Sequence, residues 1–298
     1  MTAQVLLQCV SDLLTDAGVQ QGMLFHESSG THLIRYEANS GLNSTVYHPL
    51  LCLVLQGAKQ VGASDKILTV RAGQSVIVSH TLPVVSCITE AAPELPYMAL
   101  VFPLDLDLLR SLASSASGVQ IASKRSTDSF SICCCDTDQG IEAALCRYFS
   151  QCNQDASRNL LAPITHREIH ARLLLSEHAR VLKRLLWHES TASRIFQATR
   201  DIQINLAKNI AISDLAQRVG MSHSTFFEQF KIVTGISPLQ YQKELRLLHA
   251  REELHTSRAK VSEIAFAVGY ESLAQFSREY TRKFGRSPRK DRQWVDVV

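Results

Sequence analysis

Histidine and cysteine are where metal or acid–base chemistry would begin in this chain, and their spacing argues against both. Between residues 46 and 102 only His48 and His80 occur, with no His-x-His pair on which a strand-borne metal centre could start. His26 and His32 lie upstream in segments that read as loops. His166 and His170 stand four apart on one helical face, but "HREIH" lacks the His-Glu adjacency of a zinc-protease helix. Of eight cysteines, Cys9, Cys52, Cys87, Cys146 and Cys152 are scattered, and Cys133-Cys134-Cys135 form a run. No Cys-x-x-Cys occurs, so neither a zinc ribbon nor a thioredoxin-type site is indicated. The run reads as small buried apolar residues alternating along a strand in a reducing compartment. Its competing reading is a redox switch. No metal, no cofactor and no catalysis are expected.

The basic side chains point elsewhere. Arg282, Lys283, Arg286, Arg289, Lys290 and Arg292 crowd together with only Asp291 among them. From Arg194 onward 17 Lys and Arg stand against 11 Asp and Glu, while the first 193 residues hold 14 against 17. The net +3 of the 298-residue chain therefore hides a basic C-terminal third, which suits a polyanionic partner. Composition is that of a soluble globular protein, 45% hydrophobic and 20% charged, with room for two domains. The opening "MTAQVLLQCVSDLL" has no basic n-region and does not read as a secretory signal. No uncharged apolar run approaches the roughly 20 residues of a membrane span. A cytoplasmic location is expected.

What positions the basic side chains is a repeat. Ile212-Ser-Asp-Leu-Ala-Gln-Arg-Val-Gly220 matches Val261-Ser-Glu-Ile-Ala-Phe-Ala-Val-Gly269 at an offset of 49. Ser213 and Ser262 are N-cap candidates with acids just inside, where the helix dipole favours them. Each short helix then stops at a glycine. Past one inserted residue the offset becomes 50. Ser222 and Ser272 can cap a second helix, with Gln275 completing a capping box. Phe226 and Phe230 match Phe276 and Tyr280 as inward aromatic pairs. "GISP" at 235–238 matches "GRSP" at 285–288, a helix stop followed by a new start. Two short helices about a tight glycine turn make a helix-turn-helix. Between the copies, Pro238–Leu254 has no internal breaker and reads as one connecting helix of about 16 residues and about 24 Å. Such a rod can hold two recognition helices about 34 Å apart, in successive major grooves of one duplex face.

Here the sequence resembles the AraC-type transcription regulators, through "SDLAQRVGMSHSTFFEQFKIVTGISPLQYQKELRL", "AR" at 250–251 and "AFAVGYESLAQFSREYTRKFGRSP". The resemblance covers about Ala192–Arg292. It implies a bipartite DNA-binding domain whose second helix in each unit enters a major groove. With Phe226 and Phe230 facing inward, the base-facing positions are His223, Ser224, Phe227 and Glu228. Many relatives carry basic or polar residues at the last two. A phenyl ring can pack on a thymine methyl and a carboxylate can accept from cytosine N4; alternatively Glu228 pairs with Lys231 or Arg218. On the second helix the set is Leu273, Ala274, Ser277 and Arg278, with Arg278 suited to a bidentate guanine contact or, failing that, to pairing with Glu279 or Asp291. Phosphate contacts are expected from Ser222, Ser272, Lys243, Arg246, Arg282, Lys283, Arg286, Arg289 and Lys290.

Residues 46–102 read as short strands broken at Gly57, Gly62 and Gly73, an antiparallel barrel or sandwich. "PLLCLVLQGAKQV", "AGQSVIVSHTLPV" and "PYMALVFPLD" resemble the cupin-like N-terminal domain of one branch of that family. The resemblance implies a sensor or dimerisation barrel; metal-dependent cupin enzymes need a His-x-His that is missing here. Arg35, Tyr47, Lys59, Arg71 and His80 are its candidates for an effector pocket. Residues 104–115 and 138–152 read as helices, followed by a longer one from Pro163 to about Trp187. The expected organisation is α+β: a cupin-like β-barrel with flanking helices over 1–187, a linker at 188–194, and over 195–298 an all-α domain of two helix-turn-helix units joined by a connector helix. The expected partners are double-stranded DNA, a small-molecule effector, a second copy of the chain and, for an activator, RNA polymerase.

Overall fold

The computed structural model describes residues 2–63, 66–115, 131–186 and 190–295. Helix α1 (Thr2–Asp16) precedes nine strands: β1 (Gly22–His26), β2 (Thr31–Tyr36), β3 (Asn43–Tyr47), β4 (Leu50–Gln56), β5 (Ala58–Ala63), β6 (Lys66–Arg71), β7 (Gln74–Val78), β8 (Leu82–Glu90) and β9 (Tyr97–Pro103). Then come α2 (Leu106–Ser115), β10 (Ile132–Asp136), α3 (Gln139–Cys152), α4 (Asp155–Leu160), α5 (Ala162–Leu175) and α6 (Ala179–Leu186). His26 and His32 thus sit in β1 and β2, not in loops.

The strands form two antiparallel sheets, one in the order β1-β2-β9-β4-β7-β10 and one in the order β3-β8-β5-β6. The expected barrel is realised as two facing sheets. Strand alternation builds two cores at once. In β4, Leu50, Cys52 and Val54 enter the layer between the sheets, while Leu51 and Leu53 enter the layer under the helices. Being buried on both faces explains why "LLCLVL" is unbroken apolar rather than alternating. The helical layer places Leu6, Leu145, Phe149, Ile169 and Leu173 on the outer face of the larger sheet.

Gly57 turns the chain from one sheet into the other. Its φ is +76°, and a Cβ there would stand 2.3 Å from the Glu90 carbonyl, so only glycine fits. Gly73 turns β6 into β7, also with positive φ, whereas Gly62 lies inside β5 and breaks nothing. The long helix expected from Pro163 is two helices, because Ser176, Glu177 and His178 leave the helical path between α5 and α6.

The second half is helical: α7 (Thr191–Ile204), α8 (Ile212–Arg218), α9 (His223–Thr234), α10 (Pro238–Thr256), α11 (Val261–Ala267), α12 (Leu273–Phe284) and α13 (Pro288–Val295). Of the expected linker, 188 and 189 lie outside the described residues. Ser190 caps α7 by accepting from the Ser193 N–H at 3.0 Å, so 191–194 are its first turn. Their polarity reflects a helix start. Two separate cores follow the repeat. Leu215, Ala216, Val219, Phe226 and Phe230 pack with Ile195 and Ile202 of α7; Ile264, Ala265, Val268, Phe276 and Tyr280 form the twin. Helix α10 serves both, giving Tyr241 and Leu245 to the first core and Leu247, Ala250 and Leu254 to the second. At 19 residues it is longer than expected, about 28 Å.

Candidate nucleic-acid interface

Each recognition helix begins and ends as the sequence specifies. Ser222 accepts from the Thr225 N–H and Ser272 from the Gln275 N–H, both at 3.3 Å. Gly235 and Gly285 close the helices in the left-handed conformation. Other caps differ from expectation. Helices α8 and α11 start two residues earlier, so Ala211 and Lys260 occupy the N-cap positions in place of Ser213 and Ser262. Glu263 reaches back instead, accepting from the Lys260 N–H at 2.9 Å. The box at Ser272 is half made, because the Gln275 amide donates to Glu279.

The inward aromatics fix what faces out. Phe226, Phe230, Phe276 and Tyr280 are fully buried. His223, Ser224, Phe227 and Glu228 are exposed on α9; Leu273, Ala274 and Arg278 are exposed on α12, with Ser277 half-buried. Among the described residues Glu228 pairs with neither Lys231 nor Arg218, whose guanidinium lies 3.6 Å from Asp201. Arg278 has no ion pair either. Glu279 is taken by the Tyr270 hydroxyl at 3.0 Å and Lys243 at 3.7 Å, and buried Asp291 accepts from Tyr280 at 2.6 Å and Arg251 at 3.2 Å. Both alternative pairings are therefore absent among the described residues, and the Phe227 ring on α9 is 41% exposed.

The expected phosphate contacts divide. Arg282, Arg286, Arg289 and Lys290 are exposed near the end of the repeat. Three others are used inside the protein. Lys283 pairs with Glu244 and Lys243 with Glu279, both tying α12 to α10. Arg246 donates to the carbonyls of Leu206 and Lys208 at 2.8 and 3.0 Å. Arg292 likewise holds the carbonyls of Leu254 and Ala259. The hydroxyls of Ser222 and Ser272 are engaged as caps. Residues 205–211, between α7 and α8, also reach the second unit: Asn209 donates to Glu271 at 3.1 Å, and Gly269 passes so close to Ala207 that a Cβ would stand 2.3 Å from its carbonyl oxygen. The two units touch directly as well as through α10.

The first unit also docks on the N-terminal half, which no spacing in the sequence announces. The Tyr241 hydroxyl donates to the Thr81 carbonyl at 2.7 Å, and the Ser131 hydroxyl to Val233 at the end of α9 at 2.8 Å. His80, offered as a pocket residue, is fully buried in this junction: its Nε2 donates to the Ala192 carbonyl at 2.9 Å and its ring meets Phe196 edge-on. Burial pushes its pKa down to about 4. A cleft of about 940 Å³ lies beside the junction, lined by His32, His48, His249, His255 and Glu252.

The remaining pocket candidates separate. Arg71 pairs with Glu90 on the surface and Arg35 with Glu37 at 3.2 Å. Lys59 and Tyr47 come together: the buried ammonium donates to the Tyr47 hydroxyl at 3.4 Å and to Cys52 Sγ at 3.1 Å. No carboxylate pairs with it among the described residues, and the Tyr97 hydroxyl in the same layer lacks a partner. His170 is not a metal ligand in waiting. Its Nε2 accepts from the Asp105 N–H and its Nδ1 donates to the His166 carbonyl, with burial pushing the pKa down to about 4. The cysteine run alternates: Cys134 turns to the layer between the sheets, and Cys133 and Cys135 turn to the other face, where they meet His178. Burial raises the Cys134 thiol to about 11.

Comparison with known proteins follows this division. Residues 28–181 match the family model of the AraC-type transcriptional regulator N-terminus, and residues 215–293 match that of a helix-turn-helix domain. The HTH-type transcriptional activator RhaS of Escherichia coli is 32% identical over 148 residues, 49% of this chain and 52% of that protein. RhaS of Escherichia fergusonii is 34% identical over 109 residues, 37% of this chain and 39% of that one. The chain spans about half the length of the curated relatives it matches. Among solved structures, an apo ToxT variant from Vibrio cholerae aligns with a TM-score of 0.58 at 10% identity, covering 93% of this chain and 100% of that one. ToxT bound to an unsaturated fatty acid aligns at 0.55 and 10% identity, covering 90% and 95%. At such identity the likeness concerns the fold, which extends across both halves.

Proposed function

Because the chain belongs to the AraC-type transcriptional regulator family, we propose that it reads double-stranded DNA with α9 and α12 in two successive major grooves. The observation that carries this reading is the pair of recognition faces, left exposed and unpaired on two matched cores. Arg278 would bind guanine through two hydrogen bonds, and Phe227 would pack on a thymine methyl. Ser224, Glu228 and His223 on the first helix, and Leu273, Ala274 and Ser277 on the second, complete the base-facing set. Arg282, Arg286, Arg289 and Lys290 would meet phosphates and fix register. No catalytic role is assigned to any residue. No helix among the described residues is long and apolar enough to cross a membrane, in keeping with a cytoplasmic regulator.

The N-terminal half would act as the sensor. Lys59, a buried cation beside Tyr47 and Tyr97 with no carboxylate partner among the described residues, favours an anionic or hydroxyl-bearing small molecule, because a buried ammonium is costly until paired. ToxT, which shares this fold, has an unsaturated fatty acid bound in one of its structures. Ligand at the sheets would alter the docking of the first unit at Tyr241, Ser131 and His80. A second copy of the chain and, for activation, RNA polymerase would be further partners.

Selection of bound sequences from a random DNA pool, with and without cell extract as effector source, tests the reading. The expected product is a one-sided site spanning two adjacent major grooves per protomer. Recovery of sequences without a shared motif would overturn it.

A further inference from the structure

Three potential metal ligands converge at the edge of the larger sheet. The ligand atoms of Cys133, Cys135 and His178 all lie within 4.8 Å of one another. Cys135 Sγ is 3.3 Å from His178 Nδ1 and 3.2 Å from Nε2. Two cysteines separated by one residue share a strand face, and β10 is an edge strand, so both thiols stand side by side at a rim. The histidine comes from the turn that separates α5 and α6.

A four-coordinate site with metal–sulfur bonds of about 2.3 Å sets its sulfurs about 3.8 Å apart and its sulfur and nitrogen about 3.5 Å apart. The ligand atoms, within 4.8 Å of one another, need adjustments of no more than about 1.3 Å to meet this. A disulfide fits less well. Residues two apart on a strand have Cα atoms about 6.6 Å apart, at the upper edge of the disulfide range, and their side chains run parallel.

The surroundings are also those of a ligand histidine. Ser75 stands directly opposite Cys135 in the β7–β10 register, and its hydroxyl lies 2.8 Å from His178 Nε2. Both Ser75 and His178 are buried. A metal-binding histidine characteristically gives its second ring nitrogen to such a partner, which fixes the tautomer and leaves the first nitrogen free for the ion.

The geometry points to a binding site for a thiophilic d10 cation, with Zn2+ as its representative, held by Cys133, Cys135 and His178 and oriented by Ser75. With three protein ligands and two half-buried thiols at a rim, the fourth position faces solvent and takes water or a small donor. Helix α6 starts at Ala179, next to the histidine, and packs on α7; Ser131, two residues before Cys133, holds the end of α9. Any effect of the metal on DNA binding rests on the function proposed above; the site itself does not.

The test uses the full chain, reduced and stripped of metal, without DNA. Zn2+ is titrated against a chromophoric chelator, and Co2+ is followed by its absorption. One ion per chain and a thiolate-to-cobalt charge-transfer band are expected. Cys133→Ser and Cys135→Ser should each weaken binding by about 100-fold or more, and Ser75→Ala, which keeps every ligand, by about 10-fold. Cys134→Ser, on the opposite face, should leave affinity unchanged. Absence of stoichiometric binding in the reduced chain would overturn the site, as would equal loss in Cys134→Ser. A Cys133–Cys135 disulfide formed in a chain that takes up no metal would replace it with a dithiol switch. DNA affinity, measured separately with and without Zn2+, leaves the metal result standing whichever way it falls.

Discussion

The two helix-turn-helix units are near copies in sequence and unequal in circumstance. The first is clasped to the N-terminal half through Tyr241, Ser131 and His80, and presents an aromatic ring and an acid at Phe227 and Glu228. The second has no such clasp among the described residues, and presents Arg278 with Arg282, Arg289 and Lys290 close behind. On the proposed function, one unit is placed where the state of the sheets would reach it, and the other carries the charge that would meet a polyanion.

Breaking the cores gives the largest effects. Phe226→Ala and Phe276→Ala should each cost about 3–5 kcal/mol, read from chemical denaturation. Only Phe226→Ala should also expose the junction with the N-terminal half, seen as faster amide exchange at Thr81 and Ala192. Acid comes next. His80 has its pKa depressed to about 4 by burial against 6.5 for a free side chain, so the unfolded chain binds its proton first. Stability from this group is complete above pH 6.5 and is lost as pH falls toward 4, about 2 kcal/mol by pH 5. Melting curves at pH 7.5 and 5 should show it, and His80→Gln should shrink the difference.

On DNA, Arg278→Ala should cost about 1–3 kcal/mol at one base position of the second groove and relax preference there. Equal loss on all sequences would remove it from the reading face. Arg246→Ala should lower stability by about 1–1.5 kcal/mol through the carbonyls it releases, leaving the salt dependence of DNA binding unchanged. Lys290→Ala should do the opposite, leaving stability alone and flattening the salt slope by about one unit. A flatter slope in Arg246→Ala would restore that residue to the phosphate contacts.

The repeat was legible because caps, glycines and aromatics are local requirements. A residue such as Phe230 or Gly235 announces its role within one turn of chain. The sheets were legible as strands, but the inward direction of Lys59 was not, since alternation has the same period on either face. The roles of Arg246 and Lys283 were invisible for a different reason. A cation near a DNA-reading helix has the same sequence signature whether its partner is a phosphate or a carbonyl 40 residues away. His178 lies 43 residues from Cys135, and only the fold brings them together. Ser213 and Ser262 misled because the helices begin two residues earlier than the serines suggest.

Helix α10 belongs to two cores at once, and the contact of Gly269 with Ala207 closes the same gap from the other side. Such an arrangement works as a gauge block rather than a tether. One residue inserted in its middle would swing the second unit through about 100° and lengthen the span by only about 1.5 Å. A target whose half-sites are one base pair too far apart cannot be met by stretching the protein. The duplex would have to twist or bend to suit it, and its stiffness at bases never contacted would enter the choice of site.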